Sequence, residues 1–164
     1  MAIKKFLGIG QPAPLSSAVV NRVTGMLSGV WQEWFLRIPQ TLDSIPNIVN
    51  VTELTGQGAS ITATDFSLAV LPAGLYRASY LARITTAAGV SSSLTVALAW
   101  TDGGVAKSLT GAAITGNTTA TYQSADVLIM VDAGTDVTYA TTYASNAAGV
   151  MKYGLALTLE RLRA

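Results

Sequence analysis

The stretch LYRASYLARI, Leu75–Ile84, alternates with a period of two. Tyr76, Ala78, Tyr80, Ala82 and Ile84 share one face, and the residues between them take the other. That is the signature of a strand with one side against a core. Ser93–Thr101 repeats the pattern with Leu94, Val96, Leu98 and Trp100, and Thr101-Asp102-Gly103-Gly104 follows as a hairpin turn, since Asp-Gly supplies the positive φ that such turns need. Working outward, strands are expected at Ile48–Thr52, Ala59–Phe66, Val105–Ile114, Ala125–Val131, Val137–Tyr143 and Val150–Leu162, the last with Tyr153, Leu155, Leu157 and Leu159 facing in. Turns are expected at Gly116-Asn117, Ala133-Gly134-Thr135 and Ser145–Gly149. About eight strands in about 115 residues is the density of a sandwich. The fold class is therefore mainly β, an antiparallel jelly-roll sandwich preceded by one N-terminal α-helix.

The helix is expected over Leu15–Ile38. Apolar residues recur there in threes, fours and ones, with Ser16 or Ser17 as cap and Pro39 as the stop. Its apolar surface is wider than the ~100° stripe that one-sided burial needs. Gly25 and Gly29 each cost about 1 kcal/mol in a helix interior, but admit close approach of another element. Two segments are expected: 1–46, an extended arm, helix and linker serving attachment or oligomerisation, and 47–164, the β head.

Of the 164 residues only 12 % are charged, roughly half the ~25 % usual in soluble proteins. Ala, Thr, Ser, Gly and Val dominate the uncharged remainder. A surface so poor in charge is expected to be covered by copies of itself or by partners. The chain has no Cys and no His, so it can form no disulfide, no Ser–His–Asp or Cys–His pair, and no zinc site of the nitrogen and sulfur type. A net charge of +1 carries no nucleic-acid footprint. No run of ~18 uncharged apolar residues suggests membrane insertion, and Phe6–Gly10 is too short for a secretory apolar core. Gly8-x-Gly10 and Gly103-Gly104 precede no Gly-Lys-Ser/Thr, so no phosphate loop is present. No cofactor is expected.

The run FSLAVLPAGLYRASYLARI, Phe66–Ile84, resembles the marker segment of the trimeric jelly rolls of the tumour-necrosis-factor and complement-globular-head type, on Phe66, Pro72, Gly74, Leu75, Tyr76 and Tyr80. It departs by one inserted residue, Ala73. ADVLIMVDAGTDV, Ala125–Val137, and Tyr153-Gly154-Leu155 are similar to two further segments of that family, and the likeness covers about residues 60–160. The layout as a whole resembles small virion proteins of tailed bacteriophages, which join a short attachment segment to a Thr/Ala/Gly-rich β head.

These resemblances imply a homotrimer without enzymatic activity, located in the virion after assembly in the bacterial cytoplasm, and contacting other phage structural proteins. A tail-associated fibre or appendage is the leading expectation, with a capsid decoration or head fibre as the alternative. A lectin-like trimer that binds a glycan, such as one on the host surface, is an alternative of a different class. The candidate interface residues are Val23, Leu27, Val30, Trp31, Trp34 and Phe35 on the helix, with Tyr76 and Tyr80 on the strand; the resemblance puts Tyr76 at the threefold contact. Asp132 and Asp136 suggest two other uses. A calcium ion wants six to eight oxygens, and glycoside cleavage wants carboxyls on opposite sides of a cleft; two residues of one turn meet neither need well.

Overall fold

In the computed structural model the described residues are 18–20, 25–42, 46–67, 70–146 and 150–163, with the backbone alone for 38–42. Val23 lies outside them. The chain divides into two compact units, Met1–Ile45 and Pro46–Ala164.

In the first unit the helix starts later than expected and is shorter, 14 residues. Helix α1 spans Gly29–Leu42. Ahead of it the chain doubles back. Val20 and Leu27 form an antiparallel bridge, the Ser28 amide donates to the Val19 carbonyl (3.0 Å), and the Ser28 hydroxyl donates to the Ala18 carbonyl (2.7 Å). Gly25 sits in this reversal at φ +70°, a conformation a helix cannot use and glycine adopts without steric cost. The Ser28 carbonyl then accepts from the Trp31 and Gln32 amides, both at 3.0 Å, and starts the first turn. Leu27, expected on the helix, is therefore in the bridge. Pro39 does not end the helix either. Its missing N–H removes one bond close to the C-terminal end, and helical backbone continues to Leu42. Trp31, Trp34 and Phe35, at i, i+3 and i+4, form one ring cluster with centroids 5.1–5.8 Å apart.

The second unit is built of β1 Asn47–Gln57, β2 Ile61–Asp65, β3 Gly74–Thr86, β4 Ser92–Asp102, β5 Val105–Thr110, β6 Ile114–Thr115, β7 Tyr122–Val131, β8 Thr138–Ser145 and β9 Lys152–Arg163. The single strand expected over Val105–Ile114 is two, because the chain breaks at Gly111 and β5 and β6 take successive parts of one edge of β4. One sheet has the order β1-β9-β3-β7, the other β2-β8-β4-β5, and every pairing is antiparallel. Counting β5 and β6 as one interrupted strand gives eight strands. Consecutive strands then fall mostly in opposite sheets, as they do in a jelly roll.

The alternation in the sequence is the alternation of burial. Tyr76, Ala78, Tyr80, Ala82 and Ile84 of β3 face Leu94, Val96 and Leu98 of β4 across the interior, and Tyr153, Leu155, Leu157 and Leu159 of β9 complete it. Trp100 is only partly buried against this core. The Asp102-Gly103-Gly104-Val105 turn has positive φ at both glycines (60° and 73°), as a two-residue hairpin of type I′ requires.

A polar relay runs from the rim of the sandwich into its core. The Ile61 amide donates to Thr141 Oγ1 (2.8 Å). Thr141 Oγ1 and Tyr153 Oη are 2.7 Å apart, and Tyr153 Oη donates to the Ala59 carbonyl (2.8 Å). Since the Tyr153 hydrogen is committed to Ala59, the Thr141 hydroxyl is the donor between them. The relay joins β9 of one sheet to β2 and β8 of the other. Buried polar atoms need such partners, and here the partners span the sandwich.

Candidate functional site

The two outer faces of the sandwich differ in chemistry. On β8, β4 and β5 the outward residues are Ser93, Thr95, Ala97, Ala99 and Thr101 of β4, with Thr138, Ala140, Thr142 and Ala144 of β8 and Ala106, Ser108 and Thr110 of β5. Every one is Ala, Ser or Thr. Much of the protein's shortage of charge is located on this carpet.

The outer face of β1-β9-β3-β7 carries functional groups in cross-strand rows set by register. One row is Ile48, Glu160, Arg77 and Leu128; the next is Val51, Thr158, Ser79 and Asp126; the third is Glu53, Ala156, Leu81 and Ser124; the fourth ends with Gly154, Arg83 and Tyr122. Neighbouring rows are about 7 Å apart along the strands and neighbouring strands about 4.8 Å apart. Small side chains at the centre leave two shallow hollows. The first is floored by Ser79, Ser124, Asp126, Ala156 and Thr158. The second lies between Glu53, Arg83 and Gly154. Leu81 borders both and forms the ridge between them.

Arg77 organises the first hollow. Its Nε lies 3.6 Å from Asp126 Oδ1 and its Nη1 3.4 Å from Glu160 Oε2. The three residues come from β3, β7 and β9, so one guanidinium crosses three strands. All three are partly solvated, and such pairs add little to stability; they hold the carboxylates in place. Around this polar centre stand exposed apolar groups: Leu81, Leu128, Met130, Val51 and the ring of Tyr122, which is 68 % exposed. A cluster of exposed apolar groups beside fixed polar ones is the composition of a binding surface.

The candidate residues of the sequence divide between the units. Trp31 and Trp34 are half-buried in their own ring cluster, while Val30 and Phe35 are exposed. Tyr76 and Tyr80 do not lie on a surface that a partner subunit can reach, which corrects the expected threefold contact. Tyr76 has no exposed area, and its hydroxyl is spent on the Pro72 carbonyl at 2.7 Å. It points inward because the alternation of β3 puts Tyr76 with Ala78 and Ala82, and the outward places go to Arg77, Ser79, Leu81 and Arg83. Burial pushes the Tyr76, Tyr80 and Tyr153 hydroxyls above the usual tyrosine pKa; the nearby Arg161 opposes this at Tyr76, and the Thr141 bond opposes it at Tyr153. Asp132 closes a loop: its two carboxylate oxygens accept from the Gly103 (3.0 Å) and Gly104 (2.7 Å) amides. Among the described residues no group of three or more Asp or Glu side chains gathers into a metal site. No helix among them is long and apolar enough to cross a membrane.

Sequence reasoning missed Ser79, Asp126, Thr158, Glu160 and Leu81 as one surface. The available signal was the polar half of the alternation in β3, but the partners across the rows depend on register between strands distant in sequence.

No family model matches the chain, and no curated protein does. Among solved structures it is similar to a family 61 carbohydrate-binding module solved with β-1,4-galactotriose, at 18% identity and TM-score 0.42, over 68% of this chain and 70% of that one. It is also similar to a family 16 carbohydrate-binding module, at 15% identity and TM-score 0.34, over 65% and 73% of the two chains.

Proposed function

We propose that this chain is a non-enzymatic attachment protein whose β-sandwich binds carbohydrate on the outer face of the β1-β9-β3-β7 sheet. The observation that carries the reading is the first hollow. Asp126 and Glu160 are oriented by Arg77, beside the hydroxyls of Ser79, Ser124 and Thr158. Fixed carboxylate oxygens accept hydrogen bonds from a sugar's hydroxyl groups, and the serine and threonine hydroxyls both accept and donate. Leu81 and the ring of Tyr122 give its C–H faces an apolar support. The surface is open and its carboxylates are held in ion pairs, which suits binding more than bond cleavage. The test is retention of the full chain in gels containing soluble polysaccharides. Asp126→Ala and Ser79→Tyr should each abolish retention while the far-ultraviolet spectrum stays unchanged. Retention that survives both variants would place the binding elsewhere or remove it from this face.

A second observation favours an assembled particle as the setting. Val30, Phe35 and Leu36 of α1 are exposed apolar groups, with Leu36 at 70 %, and a lone helix gains nothing from presenting them to water. On this reading the protein is a virion component of a tailed bacteriophage, a tail appendage or head fibre. It associates as a homotrimer and is joined to the particle through residues 1–46. Light scattering on the full chain checks the association: a threefold mass that falls on Phe35→Glu with Leu36→Glu is expected, and a monomer in the unaltered chain refutes it.

A further inference from the structure

Resting on the carbohydrate reading above, we infer that this face takes uncharged saccharide chains long enough to cross the Leu81 ridge, and refuses acidic ones. Charge is the first ground. The side chains lining the rows comprise three carboxylates, Glu53, Asp126 and Glu160, against two guanidinium groups, Arg77 and Arg83. Arg77 is already divided between Asp126 and Glu160 at 3.6 and 3.4 Å. A uronate or sulfate group entering the first hollow would meet Asp126 with no cation left to offset it. Arg83 shares the second hollow with Glu53, so an anion there also has a carboxylate for a neighbour. Like charges brought together on losing water cost free energy. A neutral hydroxyl-rich ring incurs no such cost, and it donates to the same oxygens.

Length is the second ground. Ser79 of the first hollow and Arg83 of the second are four residues apart on one strand, about 13 Å. Leu81 stands between them with 40% of its surface exposed. A single ring fills one hollow; a chain of several rings can occupy both and cover Leu81, removing that apolar surface from water.

The experiment measures retention of the full-length protein, at low and high salt, in gels containing linear galactan, glucan or mannan, and separately polygalacturonate. Retention by at least one neutral polymer and none by polygalacturonate is expected. Titration with oligosaccharides of the retaining polymer should show affinity rising more than tenfold from monosaccharide to tetrasaccharide, and Leu81→Asp should remove that gain. Asp126→Asn combined with Glu160→Gln leaves two guanidinium groups against the single carboxylate of Glu53, with Arg77 unpaired at the first hollow, and should confer salt-sensitive retention by polygalacturonate. Retention of the unaltered protein by polygalacturonate overturns the inference but leaves carbohydrate binding standing. So does an affinity that does not grow with chain length. No retention by either class overturns the carbohydrate reading itself.

Discussion

Replacing Tyr153 by Phe removes one oxygen from the centre of the polar relay and almost no volume. Two partners are affected. The Thr141 hydroxyl loses its acceptor at 2.7 Å, and Thr141 is only 4% exposed, so water cannot replace it readily. A buried donor left unmade costs about 1–3 kcal/mol. The Ala59 carbonyl loses its donor at 2.8 Å, but Ala59 is exposed and recovers a bond from solvent, so its share is below about 1 kcal/mol. The expected loss is about 2–3 kcal/mol, a large fraction of the stability of a domain this size. Urea unfolding of Tyr153→Phe, Thr141→Val and the double variant measures it. Thr141→Val strips the acceptor from the Ile61 amide and leaves Tyr153 bonded to Ala59. In the double variant the orphaned Thr141 hydroxyl no longer exists, so its loss should fall short of the sum by about 1 kcal/mol or more. A Tyr153→Phe loss under about 0.5 kcal/mol, or strict additivity, would refute the relay as a stabilising unit.

Three further outcomes follow from the same packing. Gly116→Ala should destabilise strongly, because a Cβ there would lie 1.8 Å from Met151 Sδ and 2.5 Å from Ser92 Oγ; Met151 has no exposed area, so its side chain would have to repack within the core, and a thermal melt indistinguishable from the parent would contradict this. Alkaline pH should unfold the β head cooperatively. Tyr76, Tyr80 and Tyr153 have raised folded-state values, so their contribution is complete below the ordinary tyrosine value of 10.0 and is lost as pH rises through the folded values. Tyrosinate absorbance should therefore show Tyr76, Tyr80 and Tyr153 ionising together with the melt, and their ionisation in a still-folded head would contradict this. Arg77→Ala should change stability by less than about 1 kcal/mol, as partly solvated pairs do, yet reduce polysaccharide retention at least tenfold by freeing Asp126 and Glu160 to wander; equal losses in both assays would mean the residue is structural.

The strands were legible because the alternation is nearly unbroken where one side must be apolar. Tyr76 to Ile84, Leu94 to Leu98 and Tyr153 to Leu159 declare their inward faces residue by residue, and a slip by one would put Arg77 and Arg83 in the core. The helix was not legible at its start, because the apolar residues of 18–28 fit both a helix and the Val20–Leu27 reversal. Local bonding by Ser28 and a left-handed Gly25 decide between them, and periodicity does not register either. The break at Gly111 escaped for a similar reason: Val105–Ile114 has strand-like composition throughout, but a single partner strand accepts it in two pieces. The candidate face was half legible. Its residues occupy the solvent side of well-predicted strands, but Arg77, Asp126 and Glu160 meet only because β3 lies between β7 and β9, and nothing in their own neighbourhoods fixes that order. Family likeness puts Tyr76 at a surface, but the alternation around it already requires the interior.

Asp132 follows directly on the last residue of β7, in one sheet, and grips the tip of the β4–β5 hairpin from the other. Besides its carboxylate bonds to Gly103 and Gly104, its own amide donates to the Thr101 carbonyl at 3.0 Å. The two leaflets are thus stapled at this rim by one residue. Breathing of the hairpin cannot proceed without tugging the strand that carries Asp126, so slow amide exchange at the tip and order in the row of Ser79 and Asp126 should rise and fall together.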